Sequence, residues 1–333
     1  MTAALSRPVG RSLRAELVPL GVSATGRTAY VSAWTSRFSG VAALSLATGA
    51  LRPIQRFGDP ATDQADGAWG GRWLVWAQTY SLHSLDAFAI FGWDSATGRL
   101  LRLGRSINGP AGSPWPSPWH PPAVSGQFAA WAQGYGPAGL VQIRLADLRT
   151  GRVTVIRHGH VQAPFFDGSL LVWPESDRPG SITALRAYDT AARGPAPLPP
   201  VLRAVRGTDF VAADGTRTAY FSPDLTGLFY SPAPDRLAAV VLRLPAGTEF
   251  ANLAMGPGVL AWTTTAATYL ASTATGSYAQ VTPRYGYAVT GPGPAVLVSG
   301  APASKAAHPI LPLYVVGAAA RDWPRCGQRR VRA

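Results

Sequence analysis

The sequence repeats itself, and that self-similarity restricts the possible folds more than any other feature. Arg72-Trp73-Leu74-Val75-Trp76-Ala77-Gln78 and Gln127-Phe128-Ala129-Ala130-Trp131-Ala132-Gln133 align without gaps. Each is followed by a loop, an apolar strand, a polar turn ending in Thr-Gly-Arg, and a further strand. The turns are Asp94 to Arg99 in one copy and Asp147 to Arg152 in the other. Residues alternate with period two on both sides of each turn, the pattern of half-buried strands.

The same turn recurs along the chain. Its glycines fall at 49, 98, 151, 194, 276 and, more weakly, 317, at intervals of 49, 53, 43, 82 and 41 residues. The long interval is twice the shortest, and the missing mark falls near Asp235-Arg236. The strand before each loop ends in an aromatic, Trp34, Trp76, Trp131, Trp173, Tyr220 and Trp262, and only Ala295 to Ser299 lacks one. Units of about 40–50 residues with three or four strands are the mark of propeller blades. One such sheet cannot bury both faces alone and must stack on its neighbours around an axis. Large rings at one fixed position, each burying about 150–250 Å², would supply much of that interface.

A strand ending in Trp, a loop, a strand, an Asp-x-x-Thr-Gly turn and a last strand resemble the TolB-like and WD-repeat-like β-propellers of exported bacterial proteins. The resemblance implies a binding scaffold, often for another protein, without a cofactor. The expected fold is all-β: a single propeller of seven blades, each a four-stranded antiparallel sheet, with six or eight as the alternative counts. It would span residues 16–320 between a basic N-terminal tail (1–15) and an Arg-rich C-terminal tail (321–333). Leu13 to Leu20, extended and alternating, is the expected clasp that completes the last sheet.

Composition supports this reading. Gly 36 and Pro 30 in 333 residues, with 11 Trp and only 14% charged residues, exclude a coiled coil, a helical bundle or a disordered chain. The net charge of +13 comes almost entirely from arginine, Lys305 being the only lysine, and setting the two tails aside leaves +6. No basic run interleaved with aromatics crosses the body, so nucleic acid is not the expected partner. Cys326 is the sole cysteine, so neither an intrachain disulfide nor a cysteine metal site can form. The longest apolar run, Pro309 to Ala320, is short for a membrane span and broken by prolines. Few charges with much Trp, Thr, Ser and Gly suit an extracytoplasmic or cell-envelope protein. Met1 to Leu20 holds no signal-peptide core, which leaves the cytoplasm open.

Several motifs could carry chemistry. Gly134 to Gly139 matches G-x-G-x-x-G but leads into a strand, so no helix N-terminus is available for a pyrophosphate. His158 and His160, at i and i+2, are the weak metal candidates, lacking a third ligand nearby. Trp115 and Trp119 lie in a proline-rich insertion between blades and could form an aromatic platform. The residue two beyond each repeat aromatic is always polar: Ser36, Gln78, Gln133, Glu175, Ser222 and Thr264. On a strand these share the aromatic's side, and Tyr80 and Tyr135 follow two residues later. The expectation is an exposed polar rim, studded with aromatics, where a protein or glycan partner binds. The partner-binding candidates are therefore Gln78, Tyr80, Gln133, Tyr135, Glu175, Trp115 and Trp119. The expected function is a monomeric, non-catalytic scaffold with no cofactor. The alternative is an extracytoplasmic enzyme acting on glycans, a hydrolase or lyase, using Glu175, Asp224 or His83 at the channel mouth.

Overall fold

The computed structural model describes residues 6–9, 16–81, 86–117, 120–137, 139–178, 182–283, 285–293, 295–300 and 313–317. The fold is all-β, and its strands group into successive four-stranded antiparallel units. Blade 1 contains Glu16–Val22, Thr28–Trp34, Ser39–Ser45 and Leu51–Arg56, and blade 2 contains Gln64–Trp69, Trp73–Thr79, Phe88–Asp94 and Leu100–Arg105. Blade 3 contains Ala123–Ser125, Phe128–Gly136, Leu140–Asp147 and Arg152–Val161. Blade 4 contains Phe165–Asp167, Leu170–Ser176, Ala184–Asp189 and Gly194–Ala196. The end of Arg152–Val161 also pairs with Leu170–Ser176, which joins blades 3 and 4 into one eight-stranded sheet. Blade 5 contains Val211–Ala213, Thr218–Phe221, Gly227–Ser231 and Ala239–Arg243, and blade 6 contains Phe250–Gly256, Val259–Thr264, Thr268–Ser272 and Tyr278–Thr282. Blade 7 contains Gly286–Thr290, Ala295–Gly300, Leu313–Gly317 and, from the other end of the sequence, Ser6–Val9.

The first strands of these units touch one another in chain order, and that of blade 7 returns to that of blade 1. The ring closes through the N-terminal strand, since Ser6–Val9 pairs residue for residue with Leu313–Val316. A clasp was expected, but from Leu13 to Leu20. Residues 16–20 instead lie in the inner strand of blade 1, and the clasp is Ser6–Val9, inside the segment expected as a tail. Gly317 ends a third strand whose fourth-strand neighbour is Ser6–Val9, from the other end of the sequence. Residues 321–333 lie outside the described residues.

The core is divided among the interfaces between blades rather than gathered in one place. Leu17, Val31 and Leu44 pack on Leu297 and Leu313 between blades 1 and 7. Leu20, Tyr30 and Trp34 meet Trp69 and Trp76 between blades 1 and 2. Five further clusters fill the remaining interfaces in turn. Between blades 4 and 5 the cluster includes Val201 and Leu202 of a five-residue helix, Pro200–Ala204. Alternate residues of each second strand face opposite neighbours, so every blade contributes to two cores.

The repeat aromatic lies in register in blades 2 to 6. Trp76, Trp131, Trp173, Tyr220 and Trp262 stand opposite Phe91, Arg144, Arg186, Phe229 and Tyr269 on the third strand. Where both are aromatic they stack, with centroids 5.6 Å apart for Trp76 and Phe91, 4.9 Å for Tyr220 and Phe229 and 5.5 Å for Trp262 and Tyr269. Trp34 departs from this register. The matching position in blade 1 is Val31, opposite Ala42, three residues earlier. Val31 belongs to the interface with blade 7 whereas Trp34 faces blade 2. In blade 7 the position is Val298.

The repeated turn has a local cause. Asp94 accepts from the Ala96 N–H and the Thr97 hydroxyl, and its carbonyl accepts from the Gly98 N–H at 2.8 Å. Gly98 has φ +75°, a conformation costly for residues with a Cβ, and Gly49, Gly151 and Gly276 match it within a few degrees. Arg72 grips the Asp94 carboxylate with two bonds, 2.8 and 2.6 Å, and first among several causes holds its pKa far below the usual carboxylate range. A β-bulge also recurs where the fourth strand leaves the third in blades 1, 2, 3, 5 and 6. It shifts the alternation of the outer strand by one residue.

Candidate functional site

The residues two beyond the repeat aromatic do not together form an exposed rim: Ser36 is exposed, but Gln78, Gln133 and Thr264 are buried. Gln133 is fully buried; its amide donates to the Arg105 carbonyl at 2.6 Å, and its oxygen accepts from the Trp131 indole N–H at 3.4 Å. Gln78 is also buried, donating to Asp63 at 2.9 Å and accepting from Gln55 at 3.0 Å. Thr264 is buried and bonds within its own turn. Glu175 accepts from the Trp173 indole N–H at 3.1 Å. The period-two rule put these residues on the aromatic's side of the strand, and that side faces the neighbouring blade. A buried indole N–H needs an acceptor, and in blades 3 and 4 the polar residue supplies it.

The two tyrosines separate. Tyr80 is exposed, whereas Tyr135 is half-buried, its ring edge-on to His158 with centroids 4.9 Å apart. His158 and His160 do not aim at one point. Gly159 between them adopts φ +146°, and His158 pairs with Gln142 of blade 3 while His160 pairs with Ser176 of blade 4. Among the described residues no three histidine, cysteine or acidic side chains cluster as a metal site.

The part of the insertion from Trp115 to Ser117 packs down on the propeller. The Trp115 N–H donates to the Ile107 carbonyl at 2.8 Å, and its half-buried ring lies against Gly109. The Ser117 hydroxyl accepts from the Gly134 N–H at 2.8 Å. A Cβ on Gly134 would stand 2.1 Å from the Pro116 carbonyl, so only glycine permits this approach. Trp119 and His83 lie outside the described residues.

Two of the predicted residues line substantial recesses, Glu175 in one and Tyr80 in another. A groove of about 630 Å³ opens between blades 3 and 4, lined by Arg157, Trp173, Glu175, Arg186, Tyr188, Arg203, Arg206 and an apolar wall, Pro195 to Leu198. Arg157 forms a two-point ion pair with Glu175. Burial alone would raise the Glu175 pKa, but Arg157, Trp173 and Arg186 together hold it below its ordinary value. Glu175 is therefore a fixed anion and not a proton donor near neutral pH. Arg203 and Arg206 are braced on the carbonyls of Leu198 and Val205 at 3.0 and 2.7 Å. Asp224 is exposed and engaged in its own turn with Ser222 and Thr226. No signal in the sequence singled out the arginines of this groove. They lie on different strands and on the helical segment, and only the stacking of blades brings them together.

No protein-family model and no curated protein matches the chain. Among solved structures, an oligogalacturonate lyase in complex with manganese matches over 94% of this chain and 91% of its own, at 12% identity and a TM-score of 0.60. An oligogalacturonate lyase from Vibrio parahaemolyticus covers 95% and 92%, at 10% identity and a TM-score of 0.57. TolB from Acinetobacter baumannii matches over 95% of this chain and 66% of its own, at 14% identity and a TM-score of 0.43. The likeness to the two lyases, at identities this low, is one of fold, and the fold is the β-propeller read from the repeat. Among the described residues no helix is long and apolar enough to cross a membrane.

Proposed function

We propose that the chain is a non-catalytic β-propeller scaffold of the bacterial cell envelope, a monomer that binds an acidic glycan in the groove between blades 3 and 4. The observation that carries this reading is the charge of that groove. Four guanidiniums, of Arg157, Arg186, Arg203 and Arg206, face a single carboxylate that is already committed to Arg157. Guanidinium forks match carboxylates in two-point geometry. Tyr188 and the Pro195 to Leu198 wall offer the apolar surface on which sugar faces pack.

A second reading, an enzyme acting on glycans, draws on the fold likeness to the oligogalacturonate lyases along nearly the whole chain. Hydrolysis by two carboxylates would need a pair facing one another across the sugar. Glu175 is instead paired with Arg157, and Asp224 is held in its turn.

One titration separates the two readings. Calorimetry with an oligogalacturonide and with a neutral oligosaccharide of equal length should give saturable binding of the acidic one alone, weakened at least about tenfold in Arg186→Ala. The ligand should be recovered intact. Appearance of an unsaturated or shortened product would favour the enzyme, and equal affinity for both sugars would overturn the charge argument.

A further inference from the structure

A second groove, of about 790 Å³, opens one interface earlier, between blades 2 and 3. Tyr80, Phe88, Arg102, Arg105, Asn108 and Arg144 line it, and among the described residues no carboxylate does. Two separate features of the fold gather the three arginines. Arg102 and Arg105, three residues apart on the outer strand of blade 2, would ordinarily face opposite sides. The bulge in that strand, where Ile90 pairs with Gly104 and Phe91 with Arg102, shifts the alternation by one and brings both to the same groove. Arg144 stands opposite Trp131, at the register position where blades 2, 5 and 6 carry Phe91, Phe229 and Tyr269. A cation thus occupies the position at which those blades stack an aromatic.

Arg144 is half-buried, and burial lowers its pKa from the ordinary guanidinium value. Its restraint is neutral. The Gln142 amide, with its oxygen turned toward Arg144, accepts from Nε and Nη2 at 2.9 Å each. Among the described residues these two of its five guanidinium N–H groups meet a neutral acceptor, and no carboxylate pairs with the charge. None of the three arginines takes part in an ion pair among the described residues. Asp63, whose charge reaches Tyr80, is buried and bonded to the Gly58 and Asp59 amides and to Gln78. The backbone at Arg105 is anchored by Gln133, which fixes one wall of the groove.

We infer that Arg102, Arg105 and Arg144 form a binding site for a tetrahedral oxyanion, a phosphate or sulfate group carried by a small ligand. Three positive charges with no carboxylate among the described lining residues suit a group of charge near −2, and three guanidiniums can present paired N–H donors to its oxygens. The site is distinct from the groove beside Glu175 and does not depend on the glycan reading.

The test is calorimetric titration of the full chain with inorganic phosphate, sulfate and acetate. Phosphate or sulfate should saturate at or below about 1 mM, with acetate far weaker. Arg102 and Arg105 are exposed, so Arg102→Ala with Arg105→Ala should preserve the melting temperature while weakening phosphate at least about tenfold. Arg144→Gln should do the same where it folds. Arg203→Ala, in the other groove, should leave phosphate affinity unchanged. Absence of saturation, acetate equal to phosphate, wild-type affinity in the double variant, or loss of phosphate affinity in Arg203→Ala would each overturn the assignment.

Discussion

Replacing Gln133 by alanine separates a packing role from a surface role. Its amide nitrogen is 2.6 Å from the Arg105 carbonyl and its oxygen is 3.4 Å from the Trp131 indole nitrogen, with the side chain fully buried. Removing the donor deprives a carbonyl at the interface of blades 2 and 3 of a partner, at a cost of about 1–3 kcal/mol. The long indole bond adds at most about 1 kcal/mol, giving roughly 1–4 kcal/mol in total. For a ring that unfolds as one unit, the unfolding entropy is on the order of 0.7 kcal/mol/K for a chain of this length. The melting temperature should therefore fall by about 1.5–6 °C, read by calorimetry. Tyr80→Ala, at an exposed position, should shift it by less than about 1 °C. A Gln133→Ala protein that melts with the wild type would refute the argument and return Gln133 to the surface.

Three further outcomes follow from named residues. Burial pushes the Asp66 carboxyl up to about 6, so ionising it opposes folding and stability should fall as pH rises from about 4 to 6. Asp66→Asn should then be the more stable protein at pH 8 by roughly 2–3 kcal/mol and equal to the wild type at pH 4 by denaturant unfolding; a difference independent of pH would contradict this. Asp94→Ala removes the carboxylate that holds its turn and Arg72, and should cost about 1–3 kcal/mol near neutral pH. Because the folded state lowers the Asp94 pKa, that contribution exists above the unfolded value of about 4 and is lost on further acidification, so the two proteins should converge in acid. Deleting residues 1–10 strips Ser6–Val9 from Leu313–Val316 and exposes a strand edge. Light scattering should report association of the truncated chain, and a monomer with unchanged melting would show that the clasp is dispensable.

The repeat made the architecture legible because its signals are local. An Asx turn closed by a glycine at positive φ, and strands alternating with period two, depend on a few consecutive residues. The aromatic could be assigned to packing for the same reason, although Trp34 misled by lying three residues out of register with Val31. The polar residues two beyond it were read as a rim. Alternation says which residues share a side of a strand, not whether solvent or another blade covers that side. The clasp lies earlier than Leu13 to Leu20, because residues 16–20 and Ser6–Val9 are both extended and only pairing distinguishes them.

What the sequence determined by itself is the blade: its length, its turns, its alternation and its aromatic, all set by contacts within about fifty residues. The arginine grooves were decided by the tertiary structure alone. Arg102, Arg105 and Arg144 come from two blades and meet because one outer strand carries a bulge and the sheets stack edge to axis. Arg157, Arg186, Arg203 and Arg206 converge from two strands and the segment around a short helix. A charge has no periodicity to betray its neighbours, and its meaning depends on which other charges the fold places within a few ångströms of it.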